Sequence, residues 1–233
     1  MFACELAAMP YYVASKIMFI HIPKCAGTFL ERVLETNDRQ VLRSGFKQSL
    51  IPNSISLQHQ FYSTLLKHND RLGVDLLHDS VKTFAVVRNP YDRVASAILW
   101  PIRLGKSLVK DTKLHNTSVA SRPLLTKERF QAILKGFINK TTKVAPYNDN
   151  HSEPQYKFVC DDEGNLYENV RVFKLETLHT EVEELNSFLN KRLRFPPRHS
   201  LDYSVYYNSE SIRMVNEYYK KDFELFGYEA KEC

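Results

Sequence analysis

The sequence lacks the features that mark metal-binding, disulfide-rich and membrane-spanning proteins. No CxxC pair occurs, and no histidine stands at metal-ligand spacing from any of the four cysteines, which are Cys4, Cys25, Cys160 and Cys233. A zinc site is therefore not expected. No apolar run approaches the roughly 20 residues that span a bilayer, and the opening residues do not have the pattern of a signal peptide. We therefore expect a soluble, cytoplasmic chain.

The chain is only mildly basic and has an ordinary globular composition. It carries 32 lysines and arginines against 27 acidic residues, and 43% of its 233 residues are hydrophobic. The basic surplus suits an anionic ligand, although a solvated surface explains it as well. The basic residues are dispersed without an aromatic-basic recognition motif, so we expect no nucleic-acid partner. This length predicts a single domain over residues 1–233, with an N-terminal extension over residues 1–16.

Strand-like apolar runs alternate with helical patterns along the chain. Residues 17–22 and 83–87 are typical of strands buried on both faces, and Val170–Lys174 is a further predicted strand. This alternation predicts an α/β three-layer sandwich with a central, mainly parallel sheet flanked by helices. The other expectations are helices at residues 28–35, 61–67, 127–139, 178–189 and 209–226, a hairpin loop at 161–165, and loops at 41–56 and 105–123.

Three local signals agree on a helix start after the second strand. Asn89 can cap the helix, Pro90 suits its first position, and Asp92 stands at the third position, where a carboxylate reaches free amides. The sequence therefore predicts a strand, a short turn and a helix at this point. Thr126 is predicted to cap the later helix in the same way.

The loop after the first strand has several features of a phosphate-binding site. A helix that begins at Gly27 and Thr28 presents free amides and the positive end of its dipole, and Lys24 adds a full charge. The pattern PKxxGT differs from the nucleotide-binding loop, in which lysine follows the second glycine. The second strand is followed by Arg88, whereas triphosphate-binding enzymes commonly have an aspartate there for magnesium. An arginine at that position binds an anion directly.

The two loops together resemble a known family. FIHIPKCAGT looks like the 5′-phosphosulfate loop, and FAVVRNPYDRVASA like the 3′-phosphate motif, of sulfotransferases that use 3′-phosphoadenosine 5′-phosphosulfate (PAPS). The segments that begin at Glu153 and at Tyr203 are also similar to that family, specifically its carbohydrate O-sulfotransferase branch of the heparan and chondroitin type. The resemblance runs in order over residues 17–228.

The resemblance implies a P-loop-like sandwich and a metal-free sulfuryl transfer. PAPS would be the donor, 3′-phosphoadenosine 5′-phosphate (PAP) the product, and a hydroxyl of a glycan or small molecule the acceptor. Most relatives of this branch are held in the Golgi by a membrane anchor. If the native protein has such an anchor, the expected location is the Golgi lumen and not the cytoplasm. The sequence indicates neither the acceptor nor the oligomeric state.

The resemblance also assigns roles to individual residues. Lys24 would stabilise the charge that develops on the bridging oxygen as the sulfur–oxygen bond breaks. Arg88 and Ser96 would hold the 3′-phosphate, and Arg198 and Ser200 would cover the nucleotide phosphates. The expected 5′-phosphosulfate loop consists of Pro23, Lys24, Cys25, Ala26, Gly27 and Thr28.

The acceptor hydroxyl must lose a proton, so a base is expected near the loop. His59 is the first choice, because it lies roughly where related glycan enzymes carry a histidine assigned to this role. Glu31, His151 and His199 are the alternatives. His21 is expected to orient or pack, whereas a Gln155 side chain would order the site or contact the acceptor.

Two other functions remain open from the residues. A P-loop kinase-like phosphoryl transferase would need magnesium ligands, and neither motif strand ends in an aspartate. Magnesium-dependent turnover would favour that function. A non-catalytic nucleotide-binding relative is the second alternative, against which the presence of Lys24 argues.

Overall fold

The computed structural model describes residues 10–35, 57–103, 125–141, 149–195 and 202–233. Two compact units emerge: Met1–Val87 with Gln155–His199, and Arg88–Pro154 with Ser200–Cys233. The loops expected at residues 41–56 and 105–123 lie outside the described residues, as do Arg198, His199 and Ser200. The single domain inferred from length stays a prediction.

The first unit is built on a four-stranded sheet in the order β1-β2-β3-β4. Its strands are β1 (Tyr11–Tyr12), β2 (Ile17–Ile20), β3 (Lys82–Val87) and β4 (Val170–Lys174). Strands β2, β3 and β4 run parallel, and β1 pairs antiparallel with β2. The three predicted strands are therefore found where the apolar runs placed them. The short strand β1 lies in the segment expected to be an N-terminal extension.

The helices of the described residues follow in chain order. They are α1 (Gly27–Leu34), α2 (Tyr62–Lys67), α3 (Asn69–Leu72), α4 (Pro90–Arg103), α5 (Lys127–Ile138), α6 (Tyr156–Val159), α7 (Val182–Leu189), α8 (Ser209–Tyr218) and α9 (Lys220–Phe226). A 3₁₀ turn covers Ser204–Tyr206. Of these, α1, α2, α3, α6 and α7 belong to the first unit.

Helices of the first unit cover both faces of its sheet. On one face, Phe19, Phe84 and Phe173 form a single buried cluster with leucines of α1 and α7. Neighbouring side chains of a strand point to opposite faces. Thr83 therefore points to the other face, where Tyr62 of α2 lies beside it. The predicted α/β class, with a mainly parallel sheet flanked by helices, is confirmed.

The second unit is helical and rich in aromatic residues. Helices α4, α5, α8 and α9 and the 3₁₀ turn share one buried cluster. Four apolar residues at helical spacing on α5 are buried there, and they are Phe130, Ile133, Leu134 and Phe137. The Thr126 hydroxyl accepts a hydrogen bond from the Arg129 amide at 3.3 Å, so the predicted cap is confirmed.

Two predicted elements differ from the structure. An antiparallel bridge between Cys160 and Leu166 confirms the hairpin loop at residues 161–165, but Tyr156–Val159 before it forms a helical turn instead of a strand. Phe158 and Val159 are adjacent and both buried, which a helical turn permits and an alternating strand does not. The helix expected over residues 209–226 is broken at the buried Tyr219, whose hydroxyl donates to the Ser152 carbonyl at 2.9 Å.

Asn89 caps α4, as its sequence position predicts. Its Oδ1 accepts a hydrogen bond from the Tyr91 amide at 3.0 Å, while Pro90 fills the first helical position. We expect Asn89→Ala to lower the free energy of unfolding by about 1 kcal/mol, because it leaves that amide without its acceptor. Urea denaturation measures the change. Asn89→Asp keeps an acceptor oxygen and should retain the stability; equal losses in both variants would contradict the cap.

Candidate active site

The loop between β2 and α1 has an unusual backbone. Lys24 and Ala26 have φ angles of 69° and 66°, in the left-handed region. An L-residue in this region costs roughly 1–2 kcal/mol, and such costs concentrate at functional sites. Left-handed residues that alternate with right-handed ones also turn backbone amides toward one side, where anions bind. The geometry therefore agrees with the predicted anion loop.

The first turn of α1 has features of an anion site. Ala26 occupies the cap position without a side-chain cap, and the first turn contains no acidic residue. The amides of Gly27 and Thr28 belong to that turn, where the helix itself supplies no acceptor. The Thr28 side chain is exposed. Two amides, a hydroxyl and the positive dipole end therefore meet beside Lys24, which is half-buried.

A hydrogen bond between Cys25 and Gln155 anchors the loop to a distant part of the first unit. The buried Cys25 thiol donates to Gln155 Oε1 at 3.3 Å, and its sulfur lies 3.7 Å from the Pro23 carbonyl oxygen. Gln155 is fully buried, so of its two expected roles only the ordering of the site fits this position. The side chains of Pro23 and Cys25 are buried, and the Cys25 amide already donates to the Ile22 carbonyl at 3.3 Å.

Gly27 makes room for the ring of His21. A Cβ atom built on Gly27 would stand 1.8 Å from His21 Nε2. No side chain therefore fits at residue 27 while His21 keeps its place. The sequence predicted Gly27 for the phosphate loop, and the structure adds this close approach as a second reason for the glycine.

His21 belongs to a polar cluster that we call the histidine cluster, formed by the buried His21 and His59 and the half-buried Glu31 and Gln58. His21 Nδ1 lies 2.8 Å from Glu31 Oε1, and Gln58 Nε2 donates to both Glu31 oxygens at 3.0 and 2.8 Å. The ring of His59 stands edge to face with that of His21, their centroids 4.6 Å apart. The expected base therefore lies in the same unit as the loop, one ring away from Gly27.

Glu31 is poorly suited to be the base itself. Burial opposes ionisation of its carboxyl group, but the hydrogen bond and charge of His21, with help from Gln58 and His59, hold its pKa below the usual value. A carboxylate with a lowered pKa is ionised at neutral pH and accepts a proton weakly. Of the alternatives, His151 is buried in the second unit with its Nδ1 3.0 Å from the Asp149 carbonyl oxygen, and His199 lies outside the described residues.

An apolar cleft adjoins the N-terminus of α1. Its volume is about 160 Å³, and its lining includes Ala26, Phe29, Leu30, Leu175, Leu178 and Phe195. The Phe29 and Phe195 rings lie 5.8 Å apart. The Phe29 side chain is partly exposed. An aromatic residue one position after the phosphate loop was the available signal for this cleft.

The second unit contains the residues expected at the 3′-phosphate. Arg88 follows β3 directly, and its guanidinium lies over the ring of Tyr203, 5.6 Å from the centroid. Ser96 is half-buried on α4. Such a cation–π contact holds the guanidinium over the tyrosine ring. The sequence motif that begins at Tyr203 did not indicate this contact with Arg88.

Arg93, by contrast, is a structural residue. It is buried and donates to the carbonyl oxygens of Glu153 at 2.9 Å and His151 at 3.2 Å. These two bonds satisfy part of a fully enclosed guanidinium and fix the segment before Gln155. Tyr91 is buried as well, and its carbonyl accepts from the Tyr207 hydroxyl at 2.7 Å.

Neither a metal cluster nor a membrane span is found in the part of the chain that the structure describes. Within the described ranges, no three His, Cys, Asp or Glu side chains converge as metal ligands would. In the same ranges, no helix combines the length and apolar character needed to cross a bilayer. The metal-free mechanism stays a prediction.

Comparison with known proteins identifies the family. Neither the curated proteins nor the solved structures give a match. A model of the sulfotransferase family, however, matches residues 13–229. This range includes β2, the loop with Lys24, the histidine cluster and Arg88. The match covers nearly the whole chain, and the chain therefore belongs to the sulfotransferase family.

Proposed function

We propose that the protein transfers a sulfuryl group from PAPS to a hydroxyl of a carbohydrate or small molecule and releases PAP. The observation that carries this proposal is the uncapped N-terminus of α1 beside Lys24, within a chain of the sulfotransferase family. Free amides, a positive dipole and a lysine suit the 5′-phosphosulfate end of such a donor.

Lys24 supplies the charge that the transition state requires. As the acceptor oxygen bonds to sulfur, the bond from sulfur to the phosphate oxygen breaks, and negative charge gathers on that oxygen. A cation beside it stabilises the transition state more than the bound donor. The amides of Gly27 and Thr28 hold the phosphate itself.

His59 is the base in this proposal. It accepts the proton that the acceptor hydroxyl releases during the attack on sulfur. Its support is its place in the histidine cluster, edge to face with His21, whose ring covers Gly27. His151 is a weaker candidate because its Nδ1 lies 3.0 Å from the Asp149 carbonyl oxygen and its side chain is buried.

The nucleoside end of the donor fits the apolar cleft. A flat adenine ring gains from contact with aromatic side chains, and Phe29 and Phe195 offer two of them next to the phosphate loop. Arg88 and Ser96 are proposed ligands of the 3′-phosphate because of the sequence motif, with Tyr203 orienting Arg88. Arg198 and Ser200 remain candidates from the sequence for covering the phosphates.

Nucleotide binding tests the donor assignment. We expect Arg88→Ala to weaken PAP binding by about 10- to 100-fold, because a charged hydrogen-bond pair contributes roughly 1.5–3 kcal/mol. Binding of adenosine 5′-phosphate, which has no 3′-phosphate, should be unchanged. Calorimetric titration of both nucleotides measures the difference.

A surface arginine provides the matched control. Arg171 is exposed and pairs with Glu184 at 2.8 Å, and Arg171→Ala should leave both affinities at the wild-type value. If Arg88→Ala weakened the two nucleotides equally, Arg88 would not read the 3′-phosphate. If the wild-type protein failed to bind PAP, PAPS would be the wrong donor. Incubation with ³⁵S-labelled PAPS and a panel of glycans and phenols then identifies the acceptor class.

A further inference from the structure

In the histidine cluster, His21 lies between the expected base, His59, and the carboxylate of Glu31. We propose that Glu31, acting through His21, positions His59 and balances the positive charge that His59 acquires when it takes the acceptor proton. Glu31 and His21 are positioning residues in this account, and neither touches the reacting atoms. The inference rests on the proposed function, since it assigns the supporting groups of the same base.

The carboxylate of Glu31 fixes the tautomer of His21. An ionised carboxylate only accepts hydrogen bonds, so the His21 nitrogen 2.8 Å from Oε1 is the donor. Gln58 donates to both oxygens of Glu31 and holds the carboxylate in place. His21 therefore carries a proton on Nδ1, and its Nε2 is the nitrogen that faces Gly27.

The ring of His21 is confined from several directions. Phe19 stacks on it with centroids 5.6 Å apart and an interplanar angle of 24°. Gly27 lies so close to the ring that a Cβ atom would overlap it. A ring held by stacking, by a close backbone and by a hydrogen bond presents a fixed surface to His59. The perpendicular contact between the two histidines therefore sets the direction in which His59 points.

The charge of Glu31 matters at the moment of proton transfer. The acceptor proton goes to His59 while the new bond from oxygen to sulfur forms and the old bond to phosphate oxygen breaks. His59 then becomes a cation at a buried position, where charges are weakly screened. The negative charge of Glu31, one ring away, lowers the free energy of that cation through space.

Replacement of the charge without a change in size tests the inference. We expect Glu31→Gln to lower kcat for sulfuryl transfer by about 10- to 100-fold, the range found when groups that orient a catalytic ligand are removed. The affinity for PAP should be unchanged, because the Glu31 carboxylate bonds to His21 and Gln58 and is not a proposed ligand of the nucleotide. The assay uses ³⁵S-labelled PAPS with chondroitin and desulfated heparan oligosaccharides, and with water as the acceptor.

Two further variants separate positioning from folding. Glu31→Asp keeps the charge and is expected to retain more of kcat than Glu31→Gln. Glu184→Gln removes an equal charge from an exposed position on α7 and should leave kcat at the wild-type value. If Glu31→Gln lowered stability while kcat stayed the same, the cluster would serve only the fold, and the inference would be wrong.

A spectroscopic measurement works without any acceptor. ¹H–¹⁵N spectra of histidine side chains report the proton on His21 Nδ1 and the ring resonances of His59. We expect Glu31→Gln to change both, and Glu184→Gln to change neither. Unchanged His59 resonances in Glu31→Gln would overturn the inference even if transfer activity were present. A wild-type protein that binds no PAP would instead overturn the proposed function, and the spectra would then decide the positioning step by itself.

Discussion

Lys24→Ala is expected to reduce kcat for sulfuryl transfer by about 100- to 1,000-fold, the effect of removing one transition-state donor from an oxyanion site. Lys24 is half-buried just before α1, whose first turn contains no acidic residue. Lys24→Arg keeps the charge in a different shape and should recover part of the rate. Single-turnover measurements with saturating labelled PAPS isolate the chemical step.

Lys16 offers a matched control for this substitution. It also has a left-handed backbone, with φ 51°, and its exposed ammonium donates to the Ser80 hydroxyl at 3.1 Å. Lys16→Ala therefore carries a similar backbone change outside the loop and should leave kcat at the wild-type value. Turnover that is undiminished in Lys24→Ala would remove the proposed mechanism, whatever the donor affinity.

Gly27→Ala is expected to lower the free energy of unfolding by about 1–3 kcal/mol, because the new methyl group overlaps the ring of His21. Most of this loss should disappear in the background of His21→Ala, where the space is empty. A double-mutant cycle measured by urea denaturation gives this coupling directly. Equal losses in the two backgrounds would mean that His21 is not the obstacle.

Gly73 provides the contrasting case for that cycle. It has a φ of 66°, and a Cβ atom there would meet nothing within 4 Å. Gly73→Ala should therefore cost roughly 1 kcal/mol through the left-handed backbone alone. Since no side chain blocks that position, His21→Ala should leave its cost unchanged. The two glycines thus separate a steric requirement from a conformational one.

The elements that local signals define were predictable from the sequence. Apolar runs located β2, β3 and β4, and cap residues located the first turns of α4 and α5. These signals span a few neighbouring residues, so one sequence contains them in full. The strand Tyr11–Tyr12 is too short to produce a period, and the turn Tyr156–Val159 depends on burial that the sequence does not state.

Contacts between distant residues explain most of what the sequence left out of the site. The bond from Cys25 to Gln155 joins residues 130 positions apart, and Gln58 reaches Glu31 across 27 positions. The motif indicated the phosphate loop and Lys24, but no local sequence signal indicated that Glu31 would form a hydrogen bond with His21. The stacking of Arg88 on Tyr203 likewise depends on the folded second unit.

The enclosure of Cys25 has a practical consequence. Cys25 is 1% exposed, so an alkylating reagent reaches its thiol only when the surrounding structure opens locally. Cys233, in the same described part of the chain, is exposed and reacts without such an event. The ratio of their alkylation rates therefore measures how often the surroundings of Cys25 open, and the natural cysteines make an attached probe unnecessary.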